Sequence, residues 1–442
     1  MSHILHLKNM LNQILHNLGF SAWNPMQAET LKMSKKEDNL LILSPTGSGK
    51  TVAFLLPLVQ NLKADADYIQ SLIIVPSREL GLQIADVFKS MKTNHKVTVV
   101  YGGHEMRLER NNLLNPPAVL IGTPGRLLDH IQKGNVDLSQ VQTLVLDEFD
   151  KSLEFGFESE MIRIIDRIPQ VRKRILTSAT QTVKVPPFVG MRDYAKLDYS
   201  GGQIPQQLSL KMVRSLANDK FEVVVKLLGK LGSDSVLVFC NHKAAVARIS
   251  ELLKDRNVLH VTFHGDLDQD QRERSLVKFR NGSVKVMVTT DLASRGLDIP
   301  EVRYVVHYQL PPKEDAFIHR NGRTARMEAT GTAYLVLAEN EALPKYLEDS
   351  PEEELLEGNH IPNEPDWVTL YISGGKKDKI NKVDIVGWLI QKGGLEKSEV
   401  GMIEIKDFGS YVAVKSDKVK GLVSVISDEK LKKKKVKVQV AR

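Results

Sequence analysis

Two short segments of the chain carry residues whose types and spacing suit phosphate chemistry. The first is Ser44-Pro45-Thr46-Gly47-Ser48-Gly49-Lys50-Thr51, which follows a short apolar run and precedes a helix-like one. In that context the glycines let backbone N–H groups converge on phosphate oxygens. We expect Lys50 to reach the terminal phosphates of a nucleotide and the Thr51 hydroxyl to bind Mg²⁺. A glycine-rich turn without a ligand is the alternative.

The second segment is Val145-Leu146-Asp147-Glu148-Phe149-Asp150, an apolar run that ends in carboxylates. A phosphate-binding loop needs carboxylates at the end of a nearby strand, where they handle Mg²⁺ and the attacking water. We therefore expect Asp147 to bind the metal and Glu148 to orient or deprotonate the water. A buried structural pair of carboxylates is the alternative, but acidic side chains are costly to bury without cations.

Length and composition indicate a globular protein of more than one domain. A chain of 442 residues suggests two or three domains, and its 42% hydrophobic content is ordinary. The single Cys240 excludes an intramolecular disulfide framework. The first residues lack a signal-peptide pattern, and no apolar run is long enough to span a membrane. We expect a soluble, cytoplasmic protein, and nothing in the sequence suggests more than a monomer.

The excess positive charge is concentrated near the C-terminus. Residues 366–442 contain 17 basic and 10 acidic residues, and their net charge of +7 equals that of the whole chain. This asymmetry predicts a polyanionic partner for the C-terminal segment. A lysine-rich end that only improves solubility is the alternative.

Short apolar strands alternate with helical segments through most of the chain, which is typical of parallel sheets. The alternation is interrupted by a glycine-rich stretch near residue 201 and resumes after it. The predicted strands are 40–43, 72–75, 97–100, 119–121, 144–146 and 175–177 before this stretch, and 236–239, 259–263, 286–289, 304–306 and 334–337 after it.

A shorter block with a different rhythm follows an acidic, proline-containing stretch. Strands are predicted at 368–373, 401–405, 411–414 and 436–440, with a helix over 382–391. A small α+β domain of about 75 residues fits this pattern. The sequence therefore predicts four segments: a first α/β domain over 1–202, a second over 203–345, an acidic linker over 346–366, and the α+β domain over 367–442.

The ordered motifs of residues 19–335 resemble those of the DEAD-box RNA helicases. Phe20 and Gln27 look like the motif with which this family reads adenine, and Asp150, Ser178 and Thr180 like its coupling motifs. The resemblance implies two tandem RecA-like domains, ATP and Mg²⁺ as cofactors, and RNA as the partner. The first domain also contains strings that resemble RNA-contact motifs; their candidate residues are Arg78, Gly103, Thr123 and Arg126.

The second domain carries its own set of motifs in the family's order. By resemblance, Arg323 and Arg326 are arginine fingers that stabilise charge on the transferring phosphoryl group. Because Lys50 and Glu148 lie in the other domain, the resemblance implies an ATP site that is complete only when the domains close. The remaining candidates are Gln269, Arg272 and Thr290 for RNA, Gly296 and Asp298 for the nucleotide, and His319 for coupling.

Residues 367–442 resemble the RNA-binding domain of DbpA-type helicases, which has a fold like the RNA-recognition motif. In that family the domain targets a structured element of large-subunit ribosomal RNA. Lys376, Lys377 and Lys379 are the expected phosphate contacts. Tyr371 and Tyr411 either stack on bases or belong to the core.

The expected function is therefore that of an ATP-dependent RNA helicase that remodels ribosomal RNA, on pre-ribosomal particles, during large-subunit assembly. An RNA-binding clamp or assembly scaffold with little ATP turnover is the alternative. A DNA helicase or translocase is disfavoured by the RNA-type motifs and by the C-terminal domain.

Phe149 departs from the family's pattern, which has Ala at this position. Trp23 and Asn24 likewise replace the family's Pro-Thr in the adenine-reading motif. Because the catalytic residues are retained, we predict that Phe149 packs behind the site and that the chain hydrolyses ATP. The variant Phe149→Ala should change the steady-state ATPase rate by less than about tenfold. A much larger gain would show that Phe149 suppresses catalysis.

Overall fold

The structure is a computed structural model. It describes residues 2–45, 47–64, 66–103, 105–179, 184–199, 208–291, 302–324, 330–347, 350–357, 364–427, 429–432 and 434–441. Five predicted site residues lie outside these ranges: Thr46, Thr180, Gly296, Asp298 and Arg326. The chain divides near residue 205 into two compact units, each of which is described by itself.

The described strands of the first unit form a parallel sheet in the order β3-β4-β2-β5-β6-β1-β7. Its elements are α1 (Ser2–Asn17), α2 (Pro25–Met33), β1 (Asn39–Leu43), α3 (Lys50–Gln60), β2 (Ser71–Ile74), α4 (Arg78–Ser90), β3 (Val97–Val100), α5 (Met106–Leu113), β4 (Val119–Gly122), α6 (Pro124–Gln132), β5 (Thr143–Leu146), α7 (Phe149–Glu154), α8 (Glu158–Ile165), β6 (Lys173–Ser178) and β7 (Ala195–Asp198).

Both faces of this sheet are buried, which explains why its inner strands read as continuous apolar runs. Successive side chains of a strand point to opposite faces. Leu40 and Ile42 accordingly join the core cluster that includes Phe54, whereas Leu41 and Leu43 join the cluster that includes Phe149. The edge strand β7 was not predicted, because its sequence alternates apolar and charged residues.

The second unit contains another parallel sheet, in the order β10-β11-β9-β12-β13-β8-β14. Its elements are β8 (Leu208–Arg214), α9 (Phe221–Leu231), β9 (Val236–Cys240), α10 (Lys243–Asp255), β10 (His260–Phe263), α11 (Gln269–Arg280), β11 (Val286–Thr290), β12 (Tyr304–His307), α12 (Glu314–Asn321), β13 (Gly331–Leu337) and β14 (Glu352–Glu353).

Part of the predicted acidic linker is an edge strand of this sheet. β14 pairs with β8, and Glu354 beside it accepts hydrogen bonds from Lys211 at 2.6 Å and from the Tyr334 hydroxyl at 3.3 Å. Lys230 forms a further ion pair with Glu354. The acidic composition predicted a linker here. It could not reveal the strand pairing, because the basic partners lie on other elements of the unit.

The C-terminal domain, also part of the second unit, is an antiparallel sheet in the order β16-β17-β15-β20. Its core contains Trp388 together with Ile385 and Leu422. The predicted strands and helix are confirmed to within three residues at each end, while the sequence did not predict the second helix or a short hairpin. The elements are β15 (Trp367–Ile372), α13 (Lys382–Gln391), β16 (Val400–Ile405), β17 (Ser410–Lys415), α14 (Val419–Ile426), β18 (Lys430–Leu431), β19 (Lys434–Lys435) and β20 (Val438–Val440).

Candidate ATP site and RNA-contact residues

The glycine-rich loop runs from the end of β1 into the first turn of α3. Gly47 and Gly49 have φ values of 84° and 90°, in the left-handed region that favours glycine. The Lys50 ammonium group donates hydrogen bonds to the carbonyl oxygens of Ser44 and, at 3.1 Å, of Pro45. The lysine is therefore held against the loop that is expected to surround the phosphates.

The predicted adenine-reading segment is fastened to the same loop. Asn24 and Gln27 form a capping box at the start of α2, with hydrogen bonds of 2.9 and 3.0 Å. Asn24 Nδ2 also donates to the Ser48 carbonyl at 3.0 Å, and Gln27 Nε2 to the Gly49 carbonyl at 3.4 Å. Asn24 thus has a structural role that sequence analysis missed, although the spacing Asn-x-x-Gln could have indicated it. Phe20 is 41% exposed.

The two carboxylates predicted to be catalytic, Asp147 and Glu148, follow β5 and are organised by Thr177 on the adjacent strand β6. The Thr177 hydroxyl donates to the Asp147 carboxylate and accepts a hydrogen bond of 3.1 Å from the Glu148 N–H. Glu148 has a φ of 48°, a strained value for a residue other than glycine. Sequence analysis missed Thr177, because its pairing with Asp147 arises only from the neighbouring positions of the two strands.

Asp147 lies in an environment that disfavours its charge. It is 3% exposed, and burial together with the neighbouring Glu148 raises the pKa of Asp147 to about 6, against the effects of Thr177 and Lys50. Glu148 Oε2 is buried and has no hydrogen-bond partner among the described residues. The Thr51 hydroxyl and the Asp147 carboxylate are the hard oxygen donors that Mg²⁺ prefers, so the residues present fit this ion.

Phe149 is the first residue of α7, and its side chain is 1% exposed within a core cluster of the first unit. The same cluster contains Leu146 and Met161. This position agrees with the predicted packing behind the site. The variant Phe149→Ala would leave a cavity and cost about 3–5 kcal/mol of stability. Its ATPase rate must therefore be compared well below the unfolding temperature.

Asp150 and Ser178, the described coupling candidates of this unit, are also buried. Ser178 ends β6, and its carbonyl accepts a hydrogen bond of 3.0 Å from the Ser44 N–H. The coupling motif is thereby joined to the start of the phosphate-binding loop.

The predicted RNA-contact residues of the first unit gather at the carboxyl ends of β2, β3 and β4. The Arg78 guanidinium lies 4.3 Å from the centre of the Tyr101 ring. A Cβ atom added at Gly103 would lie 3.2 Å from Arg78 Nη1, so these two motifs are neighbours. Thr123 precedes α6, whose first turn contains Arg126. The four candidates therefore share one edge of the sheet.

Arg126 is oriented by Glu109, a buried residue of α5 that sequence analysis missed. Glu109 accepts hydrogen bonds from Arg126 Nε at 2.6 Å and the Tyr101 N–H at 3.1 Å, and pairs with His130 Nε2 at 2.8 Å. Burial favours the neutral acid, but the hydrogen bonds with His130 and Arg126 prevail and lower the pKa of Glu109. A single acidic residue in a polar helix gives no sequence signal for this role.

The second unit gathers its motifs around Arg320, which is fully buried. Its guanidinium donates to Asp291 at 2.6 and 2.8 Å, to the Gln309 carbonyl at 2.6 Å and to Asn241 at 2.7 Å. His319 and Arg323, the predicted coupling residue and arginine finger, flank this position and are buried. Sequence analysis did not single out Arg320.

The three RNA candidates of this unit lie in the first turn of α11 and at the end of β11. Arg272, in the first turn of α11, donates to the Gly265 carbonyl at 2.6 Å. Gln269 begins the same helix and donates to Glu273 at 2.8 Å. Thr290 is the last residue of β11 and is buried.

Three regions of the chain match known protein families. Residues 24–186 match the DEAD/DEAH box helicase family, residues 219–328 the helicase conserved C-terminal domain, and residues 369–440 the DbpA RNA binding domain. The chain is 33% identical over 413 residues to the ATP-dependent RNA helicase DbpA of Escherichia coli (strain K12). This alignment covers 91% of this chain and 90% of that protein. The chain belongs to the DEAD-box RNA helicases of the DbpA type.

Other relatives support the same family. The DbpA helicase of Bacillus subtilis (strain 168) is 29% identical, with 99% of each chain covered. The structure of S. cerevisiae Dbp5 bound to RNA and ADP BeF3 matches with a TM-score of 0.66 and 27% identity, over 75% of this chain and 88% of that one. Mss116p bound to ssRNA and AMP-PNP matches with a TM-score of 0.70 and 26% identity, over 79% and 77%.

Membership of this DEAD-box family makes the chain an ATP-dependent RNA helicase, with two RecA-like domains and a C-terminal RNA-binding domain. Within the part of the chain that the structure describes, no helix has the length and apolar character needed to cross a lipid bilayer.

The lysines predicted to contact RNA lie on one exposed loop of the DbpA-type domain. Lys376 and Lys377 donate their backbone N–H groups to the carbonyls of Lys406 and Asp407, both at 2.9 Å. The side chains of Lys376, Lys377 and Lys379 are exposed. The β18–β19 hairpin adds Lys434, which pairs with Asp378 at 2.5 Å. The loop is thus held by its backbone hydrogen bonds, and the side chains of Lys376, Lys377 and Lys379 remain exposed to solvent.

The environment of Asp147 predicts that Asp147→Asn stabilises the ligand-free protein at neutral pH. Because the folded-state pKa is raised, the folded protein keeps a proton that the unfolded chain releases above pH ~4, and wild-type stability falls as pH rises towards ~6. The asparagine cannot ionise. It should add about 1–3 kcal/mol to the unfolding free energy near pH 7.5 and nearly nothing near pH 4.

Thermal or urea unfolding of both proteins across this pH range measures the effect. ATPase activity should be lost, because the predicted metal ligand is removed. Asp86→Asn makes the same chemical change at an exposed position of α4 and should leave stability unchanged at both pH values. A gain that is equal at both pH values would contradict the explanation.

The Glu109 hydrogen bonds predict that Glu109→Gln weakens RNA contact without affecting ATP binding. With its partner neutral, Arg126 is held less firmly, and the RNA concentration for half-maximal ATPase stimulation should rise about five- to tenfold. The KM for ATP should not change. The control is Asp129→Asn, which removes a longer, partly exposed pairing of 3.6 Å with the same Arg126. It should shift the RNA requirement by less than about twofold.

Proposed function

We propose that this helicase acts on large-subunit ribosomal RNA and takes part, in the cytoplasm and as a monomer, in assembly of the large ribosomal subunit. The observation that carries the proposal is the C-terminal domain. It matches the DbpA RNA binding domain over residues 369–440, and the chain's net positive charge is concentrated there. Two relatives named DbpA align with this chain over at least 90% of both proteins, so the similarity includes the C-terminal domain.

The roles proposed for the individual residues follow from the positions described above. Lys50 binds the terminal phosphates, while Thr51 and Asp147 hold the Mg²⁺, which supplies charge neutralisation when bound. Glu148, whose free carboxylate oxygen is buried beside them, orients the attacking water and takes up its proton. Arg323 and Arg326 belong to the other unit. Hydrolysis therefore requires the two units to close on ATP, and RNA binding promotes that closure.

RNA is gripped by its backbone in this proposal. The predicted contacts of the first unit present Arg78 and Arg126, fixed by Tyr101 and Glu109, and backbone positions such as Gly103. Phosphate and 2′-hydroxyl contacts of this kind carry little sequence information. Choice of RNA therefore falls to the C-terminal domain. A clamp or scaffold with little ATP turnover remains the second candidate, favoured only by Phe149 and by the altered adenine-reading motif with Trp23 and Asn24.

The proposal is tested by an ATPase assay with no nucleic acid, DNA, generic RNA or a large-subunit ribosomal RNA fragment. We expect the ribosomal fragment to stimulate at a much lower concentration than generic RNA, and DNA to be inactive. Glu148→Gln serves as the hydrolysis-deficient control. No turnover under any condition would favour the scaffold, equal stimulation by DNA would favour a translocase, and equal stimulation by both RNAs would contradict the ribosomal target.

The exposed loop predicts a specific loss in the triple variant Lys376→Ala, Lys377→Ala and Lys379→Ala. Half-maximal stimulation by the ribosomal fragment should require about ten- to a hundredfold more RNA, and the salt dependence of binding should weaken by about two units of log–log slope. Basal ATPase activity should not change.

A matched control removes the same charge from three exposed lysines of the second helicase domain, which belongs to the same unit. Its substitutions are Lys226→Ala, Lys254→Ala and Lys313→Ala. An equal loss in both triple variants would show that only net charge matters and that the loop has no special role.

A further inference from the structure

One face of the C-terminal sheet is occupied by the helicase domain of the same unit. This sheet face consists of alternate residues of the central strands β15 and β17, which lie opposite one another in register: Trp367 and Lys415, Thr369 and Ala413, and Tyr371 and Tyr411. In RNA-recognition motifs, aromatic side chains on such a face stack on bases. Here Thr369 is 2% exposed and Ala413 is fully buried, which leaves little room for a base at the centre.

A buried hydrogen-bonded triad joins the centre of this face to the loop that follows α11. Asn281 Nδ2 donates to the Thr369 hydroxyl at 2.8 Å, and the Ser283 and Thr369 hydroxyls lie 2.6 Å apart. The Ser283 hydroxyl also donates to Asn281 Oδ1 at 2.6 Å. All three side chains are buried and satisfy one another. Such a closed polar network is specific, because loss of any member leaves buried polar groups unpaired.

Charged pairs surround the triad and extend along α11. Arg280, at the end of α11, lies 3.5 Å from Glu404 of β16, and Glu273 lies 3.8 Å from Lys406. Burial raises the pKa of the Tyr411 hydroxyl, and the charges of Arg274, Glu273 and Asp270 also act on it. The ion pairs place this contact along α11 from Glu273 to Arg280.

The same helix begins with predicted RNA-contact residues. Gln269 and Arg272 occupy its first turn, while its later turns face the C-terminal domain. On the other side of the contact, the carbonyl of Lys406 accepts the N–H of Lys376 in the exposed lysine loop. One short path through Glu273 and Lys406 thus connects the RNA contacts of the helicase domain to those of the C-terminal domain.

We propose that this sheet face is a docking surface for α11 and the loop after it, not a base-stacking platform, and that docking fixes the lysine loop relative to Gln269 and Arg272. Tyr371 and Tyr411 then belong to the docking contact. Asn281, Ser283, Thr369, Arg280 and Glu404 are positioning residues: they touch no RNA, but they hold two RNA-binding surfaces at a set distance. The functional part of this inference rests on the proposed RNA selectivity.

Docking matters because a single RNA can then meet both surfaces at once. The second contact of a bound RNA becomes intramolecular, and its effective concentration is highest when the two surfaces are held at the matching distance. A domain on a free tether would sample many positions and lose much of this advantage. Loss of docking should therefore raise the RNA concentration for half-maximal ATPase stimulation about tenfold, while the rate at saturating RNA stays the same.

Fluorescence energy transfer within the full chain tests the docking itself. Cys240 is buried, and burial raises its thiol pKa to about 12, so it should not react with labels. Cysteines placed at the exposed Lys254 of α10 and Ser424 of α14 can then be labelled selectively. Docking predicts a single narrow distribution of transfer efficiency in single-molecule measurements. A broad distribution in the otherwise unmodified protein would overturn the proposal.

A charge swap supplies the matched variants. Arg280→Glu should broaden the distribution and raise the RNA requirement about tenfold, and Arg280→Glu combined with Glu404→Arg should restore both. Arg303→Glu, which removes an exposed ion pair of 3.2 Å with Asp234 elsewhere in the unit, should change neither. An unchanged distribution in Arg280→Glu, or the absence of rescue in the double variant, would count against the contact.

Thr369→Val provides a second disruption, since it keeps the side-chain shape and removes the hydroxyl at the centre of the triad. Circular dichroism confirms folding in each case. A broad distribution of transfer efficiency together with an unchanged RNA concentration for half-maximal stimulation would show that docking does not position the two RNA-binding surfaces. If generic and ribosomal RNA stimulate equally in the unmodified protein, the proposed function fails, whereas the energy-transfer result still decides the docking.

Discussion

The structure depends on one constraint, which is that parallel strands buried on both faces expose their functional residues only at their ends. The inner strands of the first helicase domain consist largely of apolar side chains that point alternately into two core clusters. These buried side chains are not accessible to a ligand. The phosphate-binding loop after β1, the carboxylates after β5 and the RNA candidates after β2, β3 and β4 therefore all lie at the carboxyl edge of the first sheet.

Burial at that edge makes electrostatics decisive. Charged groups near strand ends are costly to bury without partners, and the structure provides such partners for two of them. Glu109 is held by Arg126 and His130, and Arg320 by Asp291. Asp147 is the exception, since burial and Glu148 raise its pKa despite Lys50 and Thr177. A carboxylate left in this condition is suited to a divalent cation, whose charge would compensate both acidic groups.

The C-terminal domain shows how packing can redirect a familiar surface. It has an antiparallel sheet in the order β16-β17-β15-β20, and one face of this sheet carries two tyrosines that could stack on bases. The buried triad of Asn281, Ser283 and Thr369 joins that face to the helicase domain instead. The exposed lysine loop is then the part of the domain that remains open to RNA phosphates.

The fold class, the two tandem α/β domains and the positions of the predicted phosphate-binding loop and its carboxylates could be predicted from the sequence. These features are local, because apolar runs, glycine spacing and strand-end carboxylates reflect backbone geometry within a few residues. Only the tertiary structure revealed that Thr177 organises Asp147, that Glu109 orients Arg126 and that β14 closes an edge of the second sheet. It also decided the surroundings of Tyr371 and Tyr411, which the sequence had left open. Each of these contacts joins residues far apart in the chain, and their pairing depends on strand order and domain packing, which no local pattern encodes.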